Sequence, residues 1–263
     1  MCRLLGYLGD SIQLDRILFK PEHSLIVQSY KPQEMTAGLL NADGFGIGWY
    51  DSKPHNPPYS YKNVLPIWND ANLPQLGRYI QSQCYLGYVR SATSNLSVDI
   101  INCQPFSHQN LLFVHNGYID EFRKTLYRSI RNNLNDFAYQ RIEGTTDSEH
   151  IFALIVNELE NNHHLSLKQA LHNTITKLVT LSESDNIGFS ANIVLSNGKE
   201  LTACRYSNRE LSPTLYYIKE NSPYSNAVIL ASEPMFGGDW ISLSEKSIIS
   251  VKENLEISVD SIS

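Results

Sequence analysis

Short apolar runs divided by turn residues fill the first part of the chain. Residues 4–8, 46–50, 85–89 and 111–115 each read as strands, and a Gly-Asp turn follows the first of them. The spacing then lengthens. Thr146-Asp147-Ser148-Glu149 has the form of a capping box, and Ile151, Leu154, Ile155 and Leu159 fall on one helical face behind it. A second helix is predicted from Ser166, with Gln169 three residues on and a stripe of Leu167, Leu171, Ile175 and Leu178. The last third returns to strands. Residues 192–195 and 200–206 flank Ser196-Asn197-Gly198-Lys199, a hairpin with an Asn-Gly turn, and residues 215–219, 228–231, 247–251 and 255–259 follow. Strands, then helices, then strands with antiparallel hairpins predict an α+β fold, not a βαβ repeat. Two sheets packed face to face and covered by helices would absorb this many strands. Residues 51–74 and 128–143 lack periodicity and read as long surface insertions. With no internal repeat and no clear boundary, residues 1–263 are expected to form one domain.

Composition narrows the function. Hydrophobic residues make up 42% of the chain and charged residues 18%, as in an ordinary globular protein. The formal net charge of −6 disfavours contact with phosphate backbones, so no nucleic-acid partner is expected. No stretch approaches the ~18 apolar residues of a membrane-spanning helix, and the opening decapeptide lacks the apolar core of a secretory signal. A cytoplasmic protein without a membrane partner is the expectation. The cysteines Cys2, Cys84, Cys103 and Cys204 form no CxxC pair and predict no disulfide framework. His163-His164 reads as an exposed pair between two helices, while His23, His108 and His150 show no partner pattern. No metal and no cofactor are expected.

Five places remain that can carry chemistry. Cys2 becomes the first residue if Met1 is trimmed, and it then holds a thiol and a free α-amine together. An α-amine of pKa about 7.7–8.0 can serve as base for its own side chain. Arg90, in Tyr88-Val89-Arg90-Ser91-Ala92-Thr93, closes a predicted strand, where a guanidinium can grip a carboxylate with two bonds. Asn116-Gly117 ends another strand. It reads as a tight turn, or as a turn whose Asn side-chain N–H and Gly backbone N–H converge on an oxyanion. Asp147 suits a first helical turn and could also meet a substrate ammonium. Asp43-Gly44-Phe45-Gly46-Ile47-Gly48 lacks both phosphate-binding spacings and reads as a tight bend near the site. Taken singly, each has a plain structural explanation.

As an ordered set, Cys2, then G-Y-V-R-S-A-T, C-Q-P-F, F-V-H-N-G and T-T-D-S-E resemble the class II glutamine amidotransferases, of the N-terminal-nucleophile hydrolase superfamily. The resemblance implies a four-layer αββα sandwich of two antiparallel sheets. It implies Cys2 as nucleophile with its amine as base, and Asn116 and Gly117 as the oxyanion hole. It implies Arg90 as the partner of the glutamyl α-carboxylate, Asp147 as that of the α-ammonium, and Thr93 and Gln104 as shaping the pocket. The opening MCRLLGYLG, with H-S-L-I-V-Q-S-Y and N-A-D-G-F-G-I-G-W, is similar to a stand-alone branch that includes the ergothioneine-biosynthesis amidohydrolases. Asn41-Ala42 stands where large amidotransferases carry Arg-Gly, which argues against the synthetase branches. The implied substrate is a small γ-glutamyl amide, with γ-glutamyl hercynylcysteine sulfoxide first. A glutaminase subunit feeding a separate synthetase, a glutathione-degrading subunit and an inactive binding or scaffold protein are the alternatives. A partner subunit or self-association is left open.

Overall fold

A computed structural model describes residues 1–35, 38–51, 57–92, 98–210 and 212–262. In chain order its elements are β1 (Arg3–Gln13), α1 (Leu14–Leu18), α2 (Leu25–Tyr30), β2 (Phe45–Trp49), β3 (Tyr59–Asn63), α3 (Leu73–Tyr79), β4 (Gln81–Val89), β5 (Phe106–His108) and β6 (Leu111–Ile119). Then come α4 (Leu126–Asn132), α5 (Asp136–Gln140), α6 (Asp147–Asn161), α7 (Leu167–Glu183), β7 (Phe189–Ser196), β8 (Leu201–Ser207), β9 (Tyr216–Asn221), β10 (Tyr224–Ala231), β11 (Ile241–Ser242), β12 (Ser247–Val251) and β13 (Ile257–Ser261).

The strands form two sheets. One runs β11-β9-β10-β1-β4-β2-β3 and the other β13-β12-β8-β7-β6-β5, with every pairing antiparallel. Strand alternation builds three cores from these two sheets. Leu5 and Tyr7 of β1 turn outward to Leu14, Ile17, Leu18 and Leu25 of α1 and α2. Leu4 and Leu8 turn inward with Leu86 of β4, and meet Leu112, Val114 and Val194 of the second sheet. Phe113, Ile193 and Leu195 point away on the far side, under Ile151, Leu154 and Ile155 of α6 and Leu171, Ile175 and Leu178 of α7. The result is the α+β, helix–sheet–sheet–helix sandwich that the pattern predicts. Each buried Leu, Ile or Phe contributes about 1.5–3 kcal/mol by leaving water.

Local readings fare unevenly. The Ser166–Gln169 capping box at α7 is complete. At α6 only half of one forms. The Thr146 hydroxyl accepts from the Glu149 N–H at 3.2 Å, but the Glu149 carboxylate accepts from the N–H groups of Glu143 (2.9 Å) and Gly144 (2.7 Å). β1 does not stop at Gly9-Asp10; it runs on to Gln13 across a register shift between Leu8 and Ile12. The stretch 51–74 holds edge strand β3 and the start of α3, and 128–143 holds most of α4 and all of α5. Neither is the featureless insertion expected. These elements are five to seven residues long, too short for a periodic signal to emerge.

Candidate active site

Cys2 and Arg90 lie together because β1 and β4 end together. Arg3 pairs with Val89, so Cys2 and Arg90 are the next residues out, and alternation turns both to the inner face with Leu4 and Tyr88. Cys2 is 9% exposed. Its Sγ accepts from the Tyr88 hydroxyl at 2.8 Å and from the Ser91 N–H at 3.4 Å, while its own S–H faces the Ser91 carbonyl at 3.6 Å. Arg90 is buried and knitted to the segment before β2. Its N–H donates to the Gly44 carbonyl at 2.8 Å, its carbonyl accepts from the Asp43 N–H at 3.1 Å, and Nη1 reaches the Asp43 carbonyl at 3.4 Å. The Asp43 carboxylate accepts from the Ala92 N–H at 2.7 Å. Gly44 makes this bend at φ +114°, which a side chain would resist. Only Asp43-Gly44 form the tight bend anticipated, and they hold the arginine's backbone; Phe45-Gly46-Ile47-Gly48 lie instead in β2, paired on both sides.

The second sheet brings its own residues to the same end. A Cβ at Gly48 would stand 2.7 Å from Leu112 Cδ1, and one at Gly46 would strike the Gln104 carbonyl. Gln104 in turn clamps His115: its Oε1 accepts from the His115 N–H at 2.5 Å and its Nε2 donates to the His115 carbonyl at 3.2 Å. Progress along β2 toward the Cys2 end therefore matches progress along β6 toward Asn116. A second tie confirms the alignment. Asn192, the cross-strand partner of Asn116, donates to the carbonyls of Pro213 and Thr214, each at 3.0 Å. Thr214 donates to the Ser232 carbonyl, and Ser232 Oγ accepts from the Leu4 N–H.

Asn116 follows Leu112 and Val114 on the inner face. It is 1% exposed, and neither its Nδ2 nor its Oδ1 has a partner among the described residues. Buried amides without partners are rare and costly, so this one invites a ligand. The expected Asn-Gly turn is not there. Asn116 and Gly117 lie inside β6, paired with Asn192 and Ala191, and the strand continues to Ile119. Gly117 is needed for another reason: its Cβ would fall on the Ser190 carbonyl.

Asp147 opens α6 and docks on the end of β6. Its Oδ2 accepts from the Ile119 N–H at 2.9 Å and its Oδ1 from the Ser148 N–H at 2.8 Å, with the side chain half-buried. Behind Asn116, burial pushes the His115 imidazole below its ordinary pKa, and the Asp147 charge only partly opposes this. His115 Nε2 lies 3.3 Å from the Ser190 carbonyl, an acceptor only. It therefore carries the hydrogen, and Nδ1 accepts from Ser148 Oγ at 2.9 Å. Thr93 lies outside the described residues.

Three supports escape sequence reasoning. Arg3 donates through Nη1 to the Cys2 carbonyl at 2.9 Å and pairs through Nε with Glu233 at 2.9 Å. Glu233, wholly buried, also meets His23 Nε2 at 2.6 Å and accepts from the N–H groups of Gln33 and Glu34. Asn41, also wholly buried, donates to the Met1 carbonyl at 2.6 Å, and its Oδ1 has no partner among the described residues. The His23–Glu233 pair spans 210 residues of chain, a separation no local pattern can signal. All four cysteines are free and buried. Among the described residues no group of three or more His, Cys, Asp or Glu is placed to hold a metal ion, and no helix is long and apolar enough to cross a membrane.

Known proteins resemble the chain in sequence and in fold. The family model described as "Glutamine amidotransferases class-II" matches residues 1–235. A probable glutamine amidotransferase of Saccharomyces cerevisiae is 28% identical, over 96% of this chain and 82% of its own. The gamma-glutamyl-hercynylcysteine sulfoxide hydrolase of Mycobacterium tuberculosis is 28% identical over 96% of this chain and 94% of its own. A glutamine aminotransferase class-II domain protein from Silicibacter pomeroyi superposes with a TM-score of 0.72 at 26% identity, covering 100% of both chains. The phosphoribosylpyrophosphate amidotransferase of Bacillus subtilis shares the fold at a TM-score of 0.68 and 16% identity, this chain matching 49% of its length.

Proposed function

The chain belongs to the class II glutamine amidotransferases and is an amide-hydrolysing enzyme, and we propose that Cys2, once Met1 is removed, attacks the side-chain amide carbon of a γ-glutamyl compound. The observation that carries this reading is the buried Asn116 amide on the sheet facing Cys2, which has no partner among the described residues. In this reading the freed α-amine takes the thiol proton as sulfur bonds to the amide carbon. About a tenth of an ordinary α-amine is neutral at pH 7. Burial pushes the Met1 amine below its ordinary pKa at this chain end. Loss of Met1 also removes the carbonyl that Asn41 holds, leaving that amide beside the new amine. The tetrahedral oxyanion falls to Asn116 Nδ2 and the Gly117 N–H; one such donor is typically worth ~2.7–4 kcal/mol. The amine then returns its proton to the leaving nitrogen, and water cleaves the γ-glutamyl thioester to release glutamate. Arg90 grips the α-carboxylate and Asp147 the α-ammonium, with Thr93 shaping the pocket. Charged hydrogen bonds of this kind contribute about 1.5–3 kcal/mol each.

For the group beyond the amide nitrogen we take γ-glutamyl hercynylcysteine sulfoxide, placing the enzyme in ergothioneine biosynthesis. The support is a relative named for that hydrolysis that spans nearly the same length. Glutamine is the second reading, supported by the yeast relative's name. We take residues 1–263 as one amidotransferase-type domain working without a cofactor in the reducing cytoplasm. The test incubates the mature protein with glutamine, glutathione and γ-glutamyl hercynylcysteine sulfoxide and measures released glutamate. The sulfoxide should be cleaved fastest, and Cys2→Ser should lose nearly all turnover. Fastest release from glutamine moves the assignment to the second reading. No release from any of the three, or a fully active Cys2→Ser, ends it.

A further inference from the structure

We propose that Tyr88 is a catalytic residue: its hydroxyl is the hydrogen-bond donor that holds the Cys2 sulfur as an anion, before attack and again when the thioester breaks. This rests on the reading of Cys2 as nucleophile. Tyr88 is 3% exposed, on the inner face of β4 two residues before Arg90, and its oxygen is 2.8 Å from Sγ. The direction of the bond follows from what else the sulfur touches. Its own S–H has the Ser91 carbonyl to face, so the phenol hydrogen is the one shared between Tyr88 and sulfur. With the thiol proton gone, two donors remain aimed at sulfur, the Tyr88 O–H and the Ser91 N–H.

The surroundings make those donors matter. Leu4, Leu86 and Val114 belong to the apolar cluster around Cys2 and Tyr88, and an anion there without donors would be expensive. Burial, then the neighbouring sulfur, push the Tyr88 phenol well above its ordinary pKa, so it stays a donor at any working pH. The hydroxyl gives up no proton in this scheme. On attack, the α-amine takes the thiol proton, the sulfur electron pair forms the bond to the amide carbon as the C=O π pair moves to oxygen, and the C–N bond then breaks as the amine's proton passes to the leaving nitrogen. On deacylation, the α-amine takes a proton from water as the water oxygen bonds to the thioester carbon, the C–S bond breaks, its electron pair returns to a sulfur that again accepts from Tyr88, and the amine's proton then restores the thiol. A buried tyrosine needs some partner for its O–H, so a purely structural pairing is the competing explanation.

Titrating or charged groups also act here. Cys2, Arg90 and Cys103 act on Tyr88; Cys2, Arg3 and Asp43 act on the chain-terminal amine; and Glu233, Cys2 and Glu34 act on Arg3. The second sheet presents the neutral Asn116. Tyr88→Phe changes none of these groups and keeps the ring, so it isolates the hydrogen bond.

The experiment follows iodoacetamide alkylation of Cys2 in the mature protein across pH, with kcat and KM on the best γ-glutamyl substrate. In Tyr88→Phe the alkylation profile should move up by about one pH unit, and kcat should fall about 10- to 100-fold with KM nearly unchanged, as loss of a hydrogen bond to a charged group implies. Site-specific 3-fluorotyrosine at position 88, a stronger donor, should move the profile the other way; it serves as the readout if the Phe variant does not fold. An unmoved profile with kcat within about twofold overturns the proposal, as does a rise in KM alone. Failure of wild-type Cys2 to alkylate would instead strike the nucleophile reading itself.

Discussion

Two buried polar groups, Glu233 and Asn116, stand at the same end of the sandwich and are treated in opposite ways. Glu233, behind the nucleophile's own strand, is met by Arg3, His23 and the N–H groups of Gln33 and Glu34. Asn116, on the facing sheet, has no partner for either end of its amide among the described residues. Both are essentially excluded from solvent. The difference separates scaffold from reagent. Glu233, which anchors the strand of Cys2 through Arg3, meets its partners at folding, whereas a donor that must meet a transient charge is left open at a cost in stability.

The largest effect should come from breaking the saturated side. Glu233→Gln leaves the Arg3 guanidinium buried without its counter-charge, a loss of about 3–5 kcal/mol in folding stability. Denaturant melts should show it at pH 7. The pH dependence has a definite sign. Burial alone would raise the Glu233 pKa, but its hydrogen bonds and the Arg3 charge hold it below the unfolded value of 4.5. Its contribution is therefore fully present above that value and is lost as pH falls through the depressed folded one. Wild type should thus lose stability more steeply below pH 4.5 than Glu233→Gln does. Parallel acid limbs would mean that Glu233 is not the ionised anchor described.

The open side should respond in the opposite sense. Asn116→Ala removes a buried amide that makes no bond among the described residues, so stability should hold or rise. Turnover should fall about 100- to 1,000-fold, corresponding to ~2.7–4 kcal/mol of transition-state stabilisation. Loss of stability with turnover intact would make Asn116 one more scaffold residue and erase the contrast with Glu233.

How much of this the sequence foretells depends on how local the cause is. The short apolar run 111–115 is enough to predict a strand, though only the structure shows Leu112 and Val114 turned to one core and Phe113 to the other. The cap of α7 is legible because Ser166 and Gln169 satisfy each other three residues apart. Asn116-Gly117 misleads for a physical reason: the local turn preference of the pair is overridden by an eight-residue ladder with β7. Glu149 misleads likewise, because the backbone N–H groups of Glu143 and Gly144 take the carboxylate that a capping box would use. Arg3 and Glu233 carry no signal, because each finds its meaning only through a partner 230 positions away. The candidate site was legible as an ordered set of motifs, while the groups that hold it were not.

The smallest of the expected effects joins the two regions, since Gln104 is itself saturated and what it saturates is the backbone next to Asn116. Its amide meets both the N–H and the carbonyl of His115, as a neighbouring strand would. Gln104→Ala should leave both groups buried and unpaired, costing on the order of 2 kcal/mol in stability. Gln104→Glu should also lose stability, because one carboxylate oxygen still accepts from the His115 N–H but the other is left facing the His115 carbonyl as a buried, unpaired charge. If Gln104 acts by fixing β6, kcat should fall below wild type in both variants, with KM little changed. A stability loss in Gln104→Ala with kcat untouched would show that the oxyanion donors hold their place without the clamp. The register of β6 on β7 would then be sufficient to aim them.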